Sequence, residues 1–116
     1  MACRLKKALA RDYTHSVEDV VARINQGRAQ WWSNGDAAIV TEIYDAPQKR
    51  WLHYWVVAGE LGDCLALQPD IERWAQKQGC TEMTALGRQG WAPVLQKCGW
   101  HVRGWQYAKP LEVQRV

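Results

Sequence analysis

The stretch Ile71–Trp100, IERWAQKQGCTEMTALGRQGWAPVLQKCGW, decides the fold, because it reads as helix, strand, helix with a stop signal after each helix. Ile71, Trp74 and Ala75 make one apolar stripe at helical spacing. Pro69 and Asp70 suit the first turn of that helix, Lys77 its negative end, and Gly79 the position just past it. Thr81–Leu86 is a short strand. Trp91, Val94, Leu95 and Cys98 then resume the helical spacing, with Pro93 in the first turn, where a missing N–H costs little, and Gly99 at the stop. Gly87-Arg88-Gln89-Gly90 lies between. It is neither a P-loop nor Gly-x-Gly-x-x-Gly, so it reads as the turn from strand to helix.

Upstream, Trp51–Ala58 (WLHYWVVA) is a strand with Trp51, His53, Trp55 and Val57 on one face and Leu52, Tyr54, Val56 and Ala58 on the other. Both faces are largely apolar, as in a central strand covered on both sides. Ala37–Tyr44 (AAIVTEIY) is its hairpin partner, and Ser33-Asn34-Gly35-Asp36 is a turn signal before it. Ser16-Val17-Glu18-Asp19 opens a helix with a capping pair. Val17, Val20, Val21 and Ile24 line that helix, Gly27 is its stop, and Arg28–Trp32 is a candidate extension. Downstream, Trp100–Ala108 reads as a last strand with a bulge at Gly104. The order helix, strand, strand, helix, strand, helix, strand predicts an α/β or α+β fold, a mixed central sheet with helices on both faces.

The 116 residues fit a single domain, 1–116, with a basic segment at 1–14 and a frayed tail at 111–116. Net charge is +3, too mild for a dedicated nucleic-acid binder. No run of about 18 apolar residues is present, so no membrane span is expected. Basic residues near the start are not followed by an apolar stretch, so no secretory leader is expected either. The expected location is the cytoplasm, or an assembly made there. Cys3, Cys64, Cys80 and Cys98 lie far apart with no Cys-x-x-Cys pair, which points to reduced thiols and no metal site. Eight Trp and no Phe mean that several indoles must lie near the surface, where their N–H groups find partners.

Residues Trp51–Leu111 resemble the GNAT acyltransferase family. The resemblance is carried by the central strand, the helix ending IERWAQKQGC, the strand TEMTAL, and the helix ending LQKCGW, where that family closes a helix on Gly-Phe. It implies a GNAT-like single domain and, in an active member, acetyl-CoA as cofactor. Its diphosphate would rest on backbone amides after the central strand, placing Gly59 and Gly62 in the cofactor loop. That loop lacks the Gln/Arg-x-x-Gly-x-Gly pattern and carries Glu60 and Asp63. Leu95 stands where the family has a proton-donating Tyr, and Arg88 where it has an Asn; Tyr107 is a substitute donor. By the same resemblance Glu60, at the end of the central strand, is the best-placed candidate for a catalytic base, with Glu42 and His53 as the other candidates. The chain also resembles small GNAT-like proteins encoded among tailed-phage virion and assembly genes.

These departures favour a non-catalytic domain with no cofactor, acting in a virion, an assembly or another protein complex, or through self-association. Trp31, Trp32, Arg88, Trp91, Arg103 and Trp105 are its candidate contact residues, since Trp and Arg are enriched in binding hot spots. The alternative is an active N-acyltransferase with a diverged CoA loop. A third reading is a nucleic-acid-contacting module using the same Trp and Arg residues.

Overall fold

The computed structural model describes residues 16–87, 89–104 and 106–111, with only the backbone of Gln89. The chain divides into two compact units, Met1–Leu86 and Gly87–Val116. The predicted segment 1–14 and the tail beyond residue 111 lie outside the described residues.

The first unit is built on a four-stranded sheet in the order β1-β2-β3-β4. Its strands are β1 (Gln30–Asn34), β2 (Ala37–Ala46), β3 (Lys49–Ala58) and β4 (Glu82–Ala85). β1, β2 and β3 run antiparallel through two tight turns, and β4 joins β3 in parallel. A parallel partner needs a long crossover. Two helices supply it, α2 (Leu61–Ala66) and α3 (Gln68–Lys77). The mixed sheet and the helices on both faces agree with the sequence reading.

α1 (Val17–Asn25) opens as predicted. The Ser16 hydroxyl accepts from the Asp19 amide at 3.2 Å while the Asp19 carboxylate accepts from the Ser16 amide at 2.9 Å. Two orphan donors of the first turn are thereby satisfied. α1 and α3 then end alike. The amides of Gly27 and Arg28 donate to Ile24 and Arg23, and those of Gly79 and Cys80 to Gln76 and Ala75. This pair of reversed bonds needs a left-handed residue, and Gly27 and Gly79 have φ of +73° and +83°. The sequence stops were read correctly for that reason.

Arg28–Trp32 does not extend α1. The chain turns back at Gly27, and Gln30–Asn34 is strand β1. Adjacent tryptophans suit a strand because they point to opposite faces. Trp32 reaches the interior, where its Nε1 donates to Thr41 Oγ1 at 3.0 Å and Thr41 donates on to Gln30 Oε1 at 2.9 Å. Trp31 lies on the outer side of the same strand.

Two cores sandwich the sheet. Ile39 and Val40 are consecutive on β2 and so face opposite ways. Ile39 joins Ala37 and Leu52 against Cys64, Leu67, Ile71 and Ala75 of the α2–α3 crossover. Val40 joins Val56 and Ala29 against Val20 of α1. At the hairpin end Arg50 ties the sheet to the crossover: its Nη1 donates to the Gln78 carbonyl at 2.8 Å, and its own carbonyl accepts from Thr81 at 2.9 Å.

The second unit holds a 3₁₀ turn (Gln89–Trp91) and α4 (Ala92–Lys97). α4 ends with the same reversed bonds, from Gly99 to Gln96 and from Trp100 to Leu95. The predicted strand Trp100–Ala108 is overturned: its described residues carry no strand. Alternation alone does not make a strand without a partner ladder, and Tyr107 is 90% exposed.

Leu52 is fully buried at the centre of the α3-side core. Leu52→Ala is expected to lower stability by about 3 kcal/mol, through lost transfer energy and an unfilled cavity. A urea midpoint reduced at unchanged slope checks it.

Candidate functional site

The β2–β3 register contains one irregularity. Thr41 pairs with Tyr54 and Val40 with Val56, so two residues of β3, Trp55 and Val56, face one step of β2. This is a β-bulge, which adds a residue to one strand and bends it. The predicted face assignment holds through Trp55 and then reverses. Val56 packs with α1 and Val57 with the α3 side, the opposite of what strict alternation gives.

The parallel ladder between β3 and β4 runs from Trp51↔Glu82 to Tyr54↔Ala85 and stops there because β4 ends at Ala85, while β3 itself runs on to Ala58. The bulge lies one step past the end of that ladder.

On the α1 face, β2 and β3 present Glu42, Tyr44, Trp51, His53 and Trp55. Glu42 and His53 are directly paired across the strands, as are Tyr44 and Trp51. Glu42 is only 7% exposed. Its Oε2 accepts from Arg23 Nη1 at 2.6 Å and its Oε1 from the Tyr44 hydroxyl at 2.9 Å. A buried carboxylate demands such pairing. Arg23 also lies over the Trp55 ring, with Cζ 5.0 Å from the centroid. Tyr44 stacks on Trp51 at 5.7 Å and meets His53 edge-on at 5.9 Å.

His53 Nδ1 lies 2.9 Å from Thr84 Oγ1 on β4. Burial pushes the His53 pKa below the ordinary histidine value, and the Glu42 charge opposes that shift without cancelling it. The imidazole is therefore neutral near pH 7, with Nδ1 engaged by the hydroxyl. The Tyr44 phenol is raised by burial, then by its bond to Glu42 and by that charge, with Arg23 partly offsetting them.

The other residues singled out in the sequence lie apart from this cluster. Gly59 follows β3 with φ +105°, and a Cβ there would meet the Ala37 Cα at 2.7 Å. Close approach of β2 thus requires glycine at this position. Glu60 is exposed at the N-cap of α2 and makes no capping hydrogen bond. Gly62 is in the first turn of α2, with open space around it. Asp63 is exposed, and its carbonyl accepts from Asn34 Nδ2 at 3.2 Å.

Trp32 packs edge-on against Trp74 at 5.7 Å, within the α3-side cluster, while Trp31 is 37% exposed. In the second unit Trp91 is half-buried and packs under Gly87, Leu95 is half-buried on α4, and Arg103 is exposed. Arg88 and Trp105 lie outside the described residues. The Cys64 thiol is buried, 3.5 Å from the Ala58 carbonyl oxygen, and burial raises its pKa. Among the described residues no cluster of three or more His, Cys, Asp and Glu side chains could hold a metal ion. No helix among them is long and apolar enough to cross a membrane.

Sequence reasoning named Glu42 and His53 separately. It missed Arg23, which reads as one more polar residue on α1, and Thr84, which reads as one more strand former.

No family model matches the chain, and no curated protein matches it by sequence. Solved structures do. An acetyltransferase from Trypanosoma brucei superposes with a TM-score of 0.65 at 16% identity, covering 96% of this chain and 95% of that one. A GCN5-related N-acetyltransferase from Ralstonia eutropha gives 0.63 at 16% identity, covering 95% and 90%. For glucosamine-6-phosphate N-acetyltransferase from Arabidopsis thaliana the TM-score is 0.55 at 16% identity, and the match spans 66% of this chain and 58% of that one. The chain has the GNAT fold. The resemblance read from the two helix endings and the strand between them therefore holds at the level of fold.

Two outcomes follow from the geometry. Because the folded His53 pKa is depressed, the unfolded chain holds the proton more tightly. Its contribution to stability is present above about pH 6.5 and is lost as pH falls through the unfolded and then the folded value. His53→Gln is expected to flatten part of the fall in urea midpoint between about pH 7.5 and pH 5. Gly59→Ala is expected to destabilise by at least about 2 kcal/mol with acetyl-CoA absent, from backbone strain and the Ala37 clash. A stably folded Gly59→Ala protein would refute that packing role.

Proposed function

We propose that this GNAT-fold chain is an N-acyltransferase that takes acetyl-CoA along β3, beyond the end of its ladder with β4. The observation carrying this reading is the bulge at Trp55–Val56 together with the end of the β3–β4 ladder at Tyr54↔Ala85. A strand edge that runs past its neighbour offers main-chain donors and acceptors to an extended, amide-bearing ligand. His53 stands one pair before the end of the β3–β4 ladder, its pKa held down by burial, and the tautomer with Nδ1–H donating to Thr84 Oγ1 leaves Nε2 to accept a proton. That suits a general base.

In the reaction the acceptor amine attacks the thioester carbonyl. The N–C bond forms as the C–S bond breaks, the amine proton passes to His53 Nε2, and the leaving thiolate is protonated through solvent. Glu42 is the poorer base because both its oxygens are already engaged. Glu60 is poorer too, because it is exposed beyond the end of β3.

A second reading keeps the fold without the chemistry: a non-catalytic virion, assembly or protein-interaction domain in the cytoplasm or a particle formed there. Glu60 and Asp63 at the start of α2, Gly59 filled by β2, and Leu95 on α4 favour it. In that role the exposed Trp31 and Arg103 would contact another protein subunit or a second copy, and nucleic acid less readily.

Acetyl-CoA titration with a thermal shift separates the two. A hundredfold excess over Kd should stabilise the native state by about 2.7 kcal/mol. No shift at about 1 mM, with no thiol released in the presence of amines, would leave only the second reading. If turnover is found, His53→Gln should lower kcat by about 10²–10⁴ with little change in KM for acetyl-CoA. Loss of rate in Glu60→Gln instead would transfer the role of base to Glu60.

A further inference from the structure

Both residues of the bulge meet α1, by different means. Val56 packs in the apolar cluster with Val20, Val17 and Ile24. Trp55 meets Arg23, whose guanidinium lies over its ring and donates to Glu42. Apolar packing alone is a poor judge of where the bulge sits. Whether the extra residue falls at this step or one place earlier, Val56 and Val57 keep the same faces, so their packing does not choose between the two. A bulge one residue earlier would turn Trp55 to the opposite face, because side chains alternate along a strand. Arg23 would then lose the ring, while Glu42 would keep its hydrogen bonds from Arg23 and Tyr44. The position of the extra residue is therefore tied to a charged contact from α1.

We propose that Arg23 is a positioning residue: by clamping the Trp55 ring beside Glu42, it fixes the bulge in β3 one step past the end of the β3–β4 ladder. The consequence for acetyl-CoA rests on the acyltransferase reading; the clamp itself does not. Glu42 supplies the counter-charge that holds the guanidinium flat on the indole, and the Tyr44 hydroxyl holds the second carboxylate oxygen. Arg23 thus links the seating of α1 to the bulge in β3.

Hydrogen exchange read by mass spectrometry tests the clamp on the ligand-free chain. In Arg23→Gln the peptide spanning residues 52–58 should exchange about tenfold faster, while the peptide spanning α3, residues 68–77, stays unchanged. Arg23→Gln leaves Glu42 buried without its partner, which threatens folding. The double variant Arg23→Gln/Glu42→Gln removes the clamp without stranding a charge, and the same local loss of protection is expected. Arg23→Lys keeps a cation over the ring and should restore most of the protection.

Protection of residues 52–58 unchanged in the double variant overturns the proposal. So does an equal rise in both peptides, which marks global destabilisation, or a lack of rescue by Arg23→Lys. In a second arm, Arg23→Gln/Glu42→Gln should bind acetyl-CoA about tenfold more weakly than the unsubstituted chain. If the unsubstituted chain binds none, the acyltransferase reading fails, and the exchange result still decides the clamp.

Discussion

The carboxylate of Glu42 organises the α1 face of the sheet. It is almost wholly removed from water, and a charge in that setting must be paired and hydrogen-bonded or it is strongly destabilising. The requirement propagates. It draws Arg23 inward and so fixes which side of α1 faces the sheet. It turns the Tyr44 hydroxyl back over its own strand, which sets the ring to stack on Trp51 and stand edge-on to His53. It also leaves the guanidinium lying over Trp55, at the one irregular step of the β2–β3 ladder.

The two faces of the sheet are held differently as a result. The α3 side is a packed apolar cluster around Ile39, Leu52 and Ile71, with the Trp32–Thr41–Gln30 relay satisfying its polar groups. Such a core depends on volume and buried area. The α1 side has fewer aliphatic contacts and more aromatic and charged ones, so it depends on geometry. A division of labour results. One face supplies stability, and the other carries groups with directional hydrogen bonds and a depressed histidine, the kind of setting in which acid–base chemistry is placed.

The helix ends were legible in the sequence because each combines an apolar stripe with a glycine in the one position where a left-handed residue closes the helix. Gly27, Gly79 and Gly99 all do this. The β2–β3 hairpin was legible from its strand formers. The bulge was not, because in WLHYWVVA both faces are apolar, and no polar residue betrays where alternation reverses. β1 is not legible as a strand, and its residues fit a candidate helix extension as well, because adjacent tryptophans carry no period of their own and only the ladder with β2 reveals it. The last strand failed for the converse reason: its alternation is visible, but strand pairing is a property of two segments. In the site, Glu42 and His53 were legible as titratable residues on strands. Their union with Arg23 and Thr84 depends on packing between α1, β2, β3 and β4, which no local pattern records.

The acidic rim and the bulge respond to different constraints, so one does not decide the other. Gly59 is fixed by the approach of Ala37, and Glu60 and Asp63 are solvent-exposed residues at the start of α2. Between solvated charges several ångströms apart, screened by salt, repulsion of a diphosphate is worth about 1 kcal/mol or less per carboxylate. Each main-chain hydrogen bond along the β3 edge contributes a similar amount of the opposite sign. On the acyltransferase reading, an acidic rim would therefore lower affinity for a CoA ligand by about fivefold per charge at most. Loss of the bulge would instead change which residues β3 presents on each face. The chemistry open to this chain thus depends more on the Arg23–Glu42–Trp55 contact inside the sheet than on the loop residues that first mark it as a divergent member of its fold.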